Sequence, residues 1–148
     1  MTRRRRPLLP REVFLSHCSR DRSFVRRLAE SLRRHGVPVW YSETHIVGAR
    51  RWHDEIGRAL ARCDWFLVVL SPHAVKSTWV RRELLYALND HRYDDHIVPV
   101  VYRPCDPAFV SWTLPSIQAV DFTVSERQGL GWLLRVWGLP YDETLLRE

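Results

Sequence analysis

The feature that most constrains this chain is an unbroken run of six apolar residues, Trp65–Leu70. A strand with one face in water alternates apolar and polar residues, whereas a strand buried on both faces is apolar throughout. Strands of the second kind occur in parallel sheets that carry helices on both sides. Residues 65–70 therefore predict the central strand of an α/β domain.

Shorter β-favouring runs alternate with stretches of helical periodicity along the rest of the chain. The other predicted strands cover residues 13–15, 37–41, 97–102 and 119–122. One predicted helix runs from Asp21, a candidate N-cap, to a stop at His35 and Gly36, and the others cover residues 51–62, 79–88 and 126–137. This order, β-α repeated about five times, requires right-handed crossovers. It predicts a flavodoxin-like three-layer α/β domain with a five-stranded parallel sheet.

The loops that follow the strands are the expected ligand-binding region, because ligands of open α/β sheets bind at the carboxyl ends of the strands. These loops cover residues 16–21, 42–50, 71–78 and 103–115. No repeat or linker divides the chain. We therefore expect a single domain, residues 11–148, preceded by a flexible basic tail, residues 1–10.

Composition and charge exclude several classes of protein. The longest apolar run is six residues, whereas a membrane-spanning helix needs about 20. The residues after the four arginines at positions 3–6 do not resemble a signal peptide, so we expect a cytoplasmic protein without a membrane partner. The net charge is +6, and a terminal arginine run either contacts nucleic acid or acidic lipid or is simply solvated. The only basic patch in the folded part is interleaved with core positions of the first helix, so we expect no nucleic-acid partner.

The cysteines and histidines give no sign of a metal site or a disulfide framework. Cys18, Cys63 and Cys105 are odd in number and far apart, with no C-x-x-C pair. The segment from His53 to Glu55 lacks the H-E-x-x-H spacing that puts two ligands on one helical face. We therefore predict no metal.

The helix after the central strand carries the candidate catalytic group. Its apolar stripe is predicted to consist of Val80, Leu84, Ala87 and Leu88. Trp79 and Glu83 are four residues apart and are predicted to share a neighbouring face. A helical Glu is ordinarily a solvated surface residue, and Arg81 or Arg82 could form an ion pair with it. Spacing alone leaves both the structural and the functional interpretation of Glu83 open.

Several motifs in succession resemble the Toll/interleukin-1 receptor (TIR) domains of bacteria. In chain order they are FLSH at 14–17, FVRRL at 24–28, GVPVWY at 36–41, WHDEI at 52–56, FLVVLSP at 66–72 and STWVRREL at 77–84. The resemblance extends over residues 12–122 and includes the W-x-x-x-E spacing of the NAD-cleaving members.

This resemblance implies a role for individual residues. Glu83 would be the catalytic residue, and the loop after the first strand would lie against the nicotinamide end of NAD+. The implied substrate-binding residues are Ser16, His17, Cys18, Ser19, Trp40, Trp79 and Trp112. Trp112 would hold the dinucleotide across a contact between protomers. No cofactor is implied, because NAD+ is the substrate.

The resemblance also implies self-association through the long loop at residues 42–50, which contains Ile46, Val47 and Gly48. This loop lacks the Pro-Gly and Gly-Asp pairs common in relatives, and Glu43 stands near the position of their acidic residue. His17 and Cys18 depart from the pattern as well. They either modify the pocket or are a locally bonded histidine and a partly buried thiol.

Cleavage of NAD+ needs fewer groups than cleavage of an O-glycoside. The nicotinamide leaves as a neutral molecule from a cationic nitrogen, so no second carboxyl is required as a proton donor. Glu83 would stabilise the ribosyl cation, orient its hydroxyls or form a transient ester. The attacking group, which is water, the adenine end of the molecule or another base, decides between ADP-ribose, a cyclic ADP-ribose and base exchange.

Two classes of function follow from this resemblance. The first is an NAD+ glycohydrolase or ADP-ribose cyclase that acts in bacterial antiphage defence as a homo-oligomer or filament and signals to a separate effector or sensor protein. The alternative is a non-enzymatic scaffold that works through TIR–TIR contacts. The W-x-x-x-E spacing of Trp79 and Glu83 favours the first. A phosphate-accepting receiver domain is excluded, because the ends of the first and third strands lack an acidic cluster.

Overall fold

The computed structural model describes residues 9–42 and 50–147, with side chains from residue 53 onward in the second range. The strands are β1 (Val13–Ser16), β2 (Val39–Trp40), β3 (Trp65–Leu70), β4 (Ile97–Val101) and β5 (Val120–Asp121). The helices are α1 (Arg22–Arg34), α2 (Arg50–Arg62), α3 (Thr78–Leu88) and α4 (Glu126–Val136). Short 3-10 turns lie in several of the connections.

All five strands form one parallel sheet with the order β2-β1-β3-β4-β5. The apolar run identified in the sequence is the central strand, and its observed bounds are those predicted. In the register of the sheet, Ser16 at the end of β1 lies opposite Val68 of β3. The prediction of a flavodoxin-like α/β domain is therefore confirmed.

Two apolar layers cover the sheet, one on each face. Side chains of β1 and β3 alternate between them, so that Leu15 and Leu67 face one layer while Phe14 and Phe66 face the other. The first layer contains buried residues of α1 and α4, and the second contains those of α2 and α3. Every residue of β3 is buried, because both of its faces are covered.

The four helices predicted from the sequence are all present, and the segment between β4 and β5, predicted as a loop, contains the 3-10 turns Pro107–Phe109 and Leu114–Ser116. The prolines of this connection lack the N–H groups that an α-helix needs. Two details of the prediction are corrected. The first concerns the second strand, which was predicted over residues 37–41, whereas β2 is only two residues long. The Pro38 carbonyl, just before β2, accepts a bond from the Val13 N–H.

The second correction concerns the start of α1. Asp21 occupies the N-cap position, as predicted, but its side chain makes no capping hydrogen bond. By contrast, the side chains of Ser77 and Ser125 cap α3 and α4.

Within the described part of the chain, none of the helices combines the length and apolar character required to span a bilayer.

Candidate active site

The candidate site lies where β1 ends and α3 passes over the sheet. Ser16 is the last residue of β1 and is 1% exposed. Helix α3 begins shortly after β3, which is the neighbour of β1 in the sheet. A group on the first turns of α3 can therefore reach the end of β1.

Glu83 belongs to the buried stripe of α3 rather than to a neighbouring face. The buried residues of this helix are Val80, Glu83, Leu84 and Ala87, which is the i, i+3, i+4, i+7 pattern of a core-facing surface. Leu88, which the sequence assigned to the stripe, is only partly buried. Glu83 is 6% exposed, so the interpretation of this residue as a solvated surface group is wrong.

Among the described residues, one side-chain hydrogen bond joins Ser16 at the end of β1 to Glu83 on α3. The Ser16 hydroxyl donates to Oε1 of Glu83 over 2.9 Å. Burial raises the pKa of Glu83 to about 8, and the Ser16 hydrogen bond acts in the opposite direction. Burial dominates because removing a carboxylate from water costs more than one neutral hydrogen bond returns.

Neither of the arginines beside Glu83 neutralises it. Arg81 donates to the carbonyl of Phe109 over 3.0 Å, and the Arg82 guanidinium lies 5.3 Å from the centre of the Trp79 ring. Within residues 9–42 and 53–147, no basic side chain forms an ion pair with Glu83. The structure thus excludes the Arg81 and Arg82 pairs that the sequence left open.

The loop after β1 contains the three residues expected beside Ser16. His17 is 2% exposed, and its ring meets that of Tyr41 edge-on at 5.9 Å between centres. Cys18 is 7% exposed, and its thiol donates to Asp21. Burial raises the pKa of Cys18 to about 11, so this thiol stays protonated and is a poor nucleophile. Ser19 is exposed and begins a 3-10 turn.

The three tryptophans expected to bind the substrate have different environments. Trp40 is partly buried, with its ring 5.1 Å from that of Phe14. The ring of Trp79 lies 5.1 Å from that of His53. Trp112 is 85% exposed. Trp40 and Trp79 both pack against the same apolar layer as Phe14, whereas Trp112 extends into solvent.

The predicted self-association residues Ile46, Val47 and Gly48 lie outside the described residues, as does Glu43. Their assignment therefore stays a prediction.

Sequence reasoning missed a second buried polar group at the same edge of the sheet. The Ser71 hydroxyl donates to Oδ2 of Asp21 over 2.5 Å. Asp21 is 5% exposed and Ser71 is 1% exposed. Both residues follow apolar strands that are neighbours in the sheet, and this position was the signal that could have identified them.

A family model for the TIR domain matches residues 13–134 of this chain. The match spans all five strands and nearly all of α4. The chain belongs to the TIR domain family.

Curated relatives of this TIR domain include enzymes named for reactions of NAD+. This chain is 36% identical over 74 residues to the 2' cyclic ADP-D-ribose synthase BtTIR of Bacteroides thetaiotaomicron. The aligned part covers 49% of this chain and 26% of that protein. This chain is 32% identical over 92 residues to the NAD(+) hydrolase TcpC of Escherichia coli, covering 60% of this chain and 30% of that protein. The chain thus spans less than a third of the length of either relative.

Solved structures show the same fold at lower identity. The TIR domain of the Toll-related receptor TRR-2 from Hydra magnipapillata superimposes with a TM-score of 0.67 at 23% identity, covering 83% of this chain and 94% of that one. The TIR domains of the activated Roq1 resistosome superimpose with a TM-score of 0.54 at 22% identity, covering 90% of this chain and 87% of that one.

The geometry of this TIR domain suits reactions in which positive charge develops. A carboxyl group that is buried, with a single neutral donor among the described residues, is poised to take up a cationic partner. A cation beside Glu83 would favour the ionised form and lower its pKa. The attraction would be strong, since few water molecules screen it at a buried position.

Proposed function

We propose that this TIR domain cleaves the bond between nicotinamide and ribose in NAD+, with Glu83 as the catalytic carboxylate. The observation that carries the proposal is the burial of Glu83, whose only hydrogen-bond partner among the described residues is the Ser16 hydroxyl. The relatives named as NAD(+) hydrolases and 2' cyclic ADP-D-ribose synthases support the same reaction class.

The proposed chemistry uses the carboxylate as an electrostatic partner. As the bond to nicotinamide lengthens, positive charge moves onto the ribose, and a carboxylate in a poorly hydrated site stabilises that charge. The nicotinamide departs as a neutral molecule with the electron pair of the broken bond. Water or a group at the adenine end then bonds to the anomeric carbon of the ribose and gives up a proton, which yields ADP-ribose or a cyclic form. The Ser16 hydroxyl fixes the orientation of the carboxylate through Oε1, which leaves Oε2 for the ribose.

NAD+ itself supplies the charge that prepares Glu83. Because the pKa of Glu83 is about 8, much of this group is protonated near neutral pH in the free protein. The cationic nicotinamide ring favours the carboxylate when it binds nearby. Substrate binding and ionisation of Glu83 are therefore coupled in this proposal.

Aromatic faces would complete the substrate site. Trp79 lies one helical turn before Glu83 on α3, and Trp40 ends the edge strand beside β1. Flat rings of this kind stack on a base or on a cationic ring. Trp112 is too exposed to form a pocket within one chain, so we assign it to a contact with NAD+ that a second copy completes.

The test is NAD+ turnover by the purified protein at high concentration, with products separated by chromatography. Wild type is compared with Glu83→Gln and with Glu126→Gln, a matched change at an exposed carboxylate that pairs with Arg27. We expect nicotinamide release by wild type and Glu126→Gln and its loss in Glu83→Gln. No release by wild type at any concentration, or equal release by Glu83→Gln, would overturn the proposal and favour a non-enzymatic scaffold.

We extend the proposal to assembly of the domain into a homo-oligomer. A relative of the fold occurs in an assembled complex, the Roq1 resistosome, and Trp112 is an exposed residue of the connection between β4 and β5. Specific activity should then fall as the protein is diluted a hundredfold, and the Trp112→Ala variant should lose activity at every concentration. Constant specific activity over the dilution series would show that one chain suffices.

The biological setting is also a proposal. We place the activity in cytoplasmic antiphage defence, with ADP-ribose or a cyclic form as a signal to a separate effector. The companion nucleotide found by chromatography identifies the signal. Loss of protection against phage in a host carrying Glu83→Gln would support this setting, and full protection would contradict it.

A further inference from the structure

The buried polar group formed by Asp21, Ser71 and Cys18, here called the Asp21 cluster, lies at the same edge of the sheet as the candidate active site. Oδ2 of Asp21 accepts two hydrogen bonds, from the Ser71 hydroxyl over 2.5 Å and from the Cys18 thiol over 3.1 Å. All three side chains are at least nine-tenths buried. A buried carboxyl group with uncharged donors is costly to retain.

Asp21 serves this cluster instead of its own helix. It sits at the N-cap of α1, where an aspartate ordinarily accepts a hydrogen bond from the first turn. No such bond forms here. The side chain points toward β3 instead, which means that its position is set by contacts distant in sequence.

The cluster joins the loop after β1 to the connection between β3 and α3. Cys18 and Asp21 belong to the loop that follows Ser16. Ser71 begins the connection to α3, and its oxygen also accepts a bond from the Ala74 N–H over 3.0 Å. Ser77 then caps α3. A continuous chain of contacts therefore runs from the loop after β1 to the start of the helix that carries Glu83.

We propose that Asp21 is a positioning residue for the Ser16–Glu83 hydrogen bond, acting by holding the loop after β1 against the connection that leads into α3. The proposal rests on the proposed function only in giving this pair a catalytic purpose. The positioning role itself is independent of that function: it states that the hydrogen bond between Asp21 and Ser71 keeps the one between Ser16 and Glu83 in place.

The experiment follows the titration of Glu83 by NMR in protein labelled with ¹³C at glutamate carboxyl groups. The Glu83 signal is assigned as the one missing in Glu83→Gln. The Ser16 hydroxyl lowers the pKa of Glu83, so Ser16→Ala should raise it. If Asp21 positions this pair, Ser71→Ala and Asp21→Asn should raise the pKa of Glu83 in the same direction, and neither should raise it further once Ser16 is alanine.

Ser125→Ala is the matched control for Ser71→Ala, because Ser125 caps α4, which does not carry Glu83. Each serine oxygen accepts a bond from a backbone N–H three residues ahead, but only Ser71 also donates to Asp21. Ser125→Ala should lower the free energy of unfolding and leave the pKa of Glu83 unchanged. A wild-type pKa of Glu83 in Ser71→Ala, or an equal shift in Ser125→Ala, would overturn the proposal even where Asp21→Asn fails to fold.

Turnover gives a second readout. We expect kcat for NAD+ to fall in Ser71→Ala and Asp21→Asn by about the factor seen in Ser16→Ala, with KM nearly unchanged. Losses that multiply in the Ser16→Ala, Ser71→Ala double variant would show that Asp21 acts independently of Ser16 and would contradict the proposal. If wild type does not cleave NAD+, the proposed function fails, while the titration still decides the positioning role.

Discussion

Ser16 and Glu83 are 67 positions apart in the chain, yet the Ser16 hydroxyl donates to Oε1 of Glu83 over 2.9 Å in the interior of the protein. The bond connects the end of β1 with α3, whose buried residues belong to the second apolar layer. It opposes the effect of burial on the pKa of Glu83. The ionisation of this one carboxyl group therefore depends on how closely α3 approaches β1.

Glu83→Gln should change how stability depends on pH. The pKa of Glu83 is about 8 in the folded protein and near 4.5 in a free side chain. Between these values the folded state binds more protons, so the wild-type free energy of unfolding falls as pH rises and levels off above about 8. Each pKa unit corresponds to about 1.4 kcal/mol.

Denaturant unfolding of both proteins from pH 5 to pH 9 measures this effect. We expect Glu83→Gln to gain stability relative to wild type steadily up to about pH 8, by a few kcal/mol in total. A difference between the two proteins that stays constant over the whole range would contradict the buried, neutral carboxyl group.

The pH dependence of NAD+ cleavage should report the same ionisation. The pH dependence of kcat/KM reports the pKa values of the free protein. If Glu83 acts as a carboxylate, kcat/KM should therefore rise with pH until about pH 8. The apparent pKa in kcat should be lower, since the cationic nicotinamide favours the carboxylate in the complex. Initial rates at limiting and saturating NAD+ test both points. A kcat/KM that falls between pH 6 and pH 8 would mean that the protonated form is the active one.

Ser16→Ala should reduce turnover by about 10- to 100-fold, the range expected for loss of a hydrogen bond to a charged group of about 1.5–3 kcal/mol. The matched control is Ser125→Ala, which removes the N-cap of α4 and should cost about 1 kcal/mol of stability without changing kcat. Kinetics and unfolding curves of both variants make the comparison. Equal kcat values for Ser16→Ala and wild type would remove Ser16 from the mechanism.

Two glycines of α4 should respond oppositely to alanine. A Cβ at Gly129 would lie 2.5 Å from Cγ of the Phe122 ring, whereas the nearest atom to a Cβ at Gly131 is 4.0 Å away. Gly129→Ala should therefore destabilise the fold by about 1–3 kcal/mol through overpacking. Gly131→Ala should stabilise it by about 0.5–1 kcal/mol, because alanine favours a helix. Thermal unfolding of the two variants tests this, and similar shifts in Tm would contradict it.

The fold could be predicted largely because its signals are local. The bounds of β3 match the apolar run Trp65–Leu70, since a strand covered on both faces needs no polar position. The length of β2 could not be predicted in this way. Most of residues 37–41 have β-favouring side chains, but only Val39 and Trp40 are in register with residues of β1 as ladder pairs. Pairing depends on the neighbouring strand.

The residues of the candidate site could also be predicted only in part. The W-x-x-x-E spacing identified Trp79 and Glu83 as a pair, but a helical pattern with an acidic residue inside it indicates a solvated face. The structure reverses that interpretation, because α3 packs so that Glu83 shares the buried stripe with Val80 and Leu84. Which face of a helix is covered depends on the elements packed against it.

The amino-acid sequence by itself determined the order of strands and helices, the parallel sheet and membership of the TIR family, since all three follow from patterns within single elements. Only the tertiary structure decided that Glu83 is buried, that Ser16 is its partner and that Asp21 bonds to Ser71 rather than capping α1. Hydrogen bonds and desolvation act between atoms that are close in space, and for these residues the sheet brings together groups that are 50 or 67 positions apart.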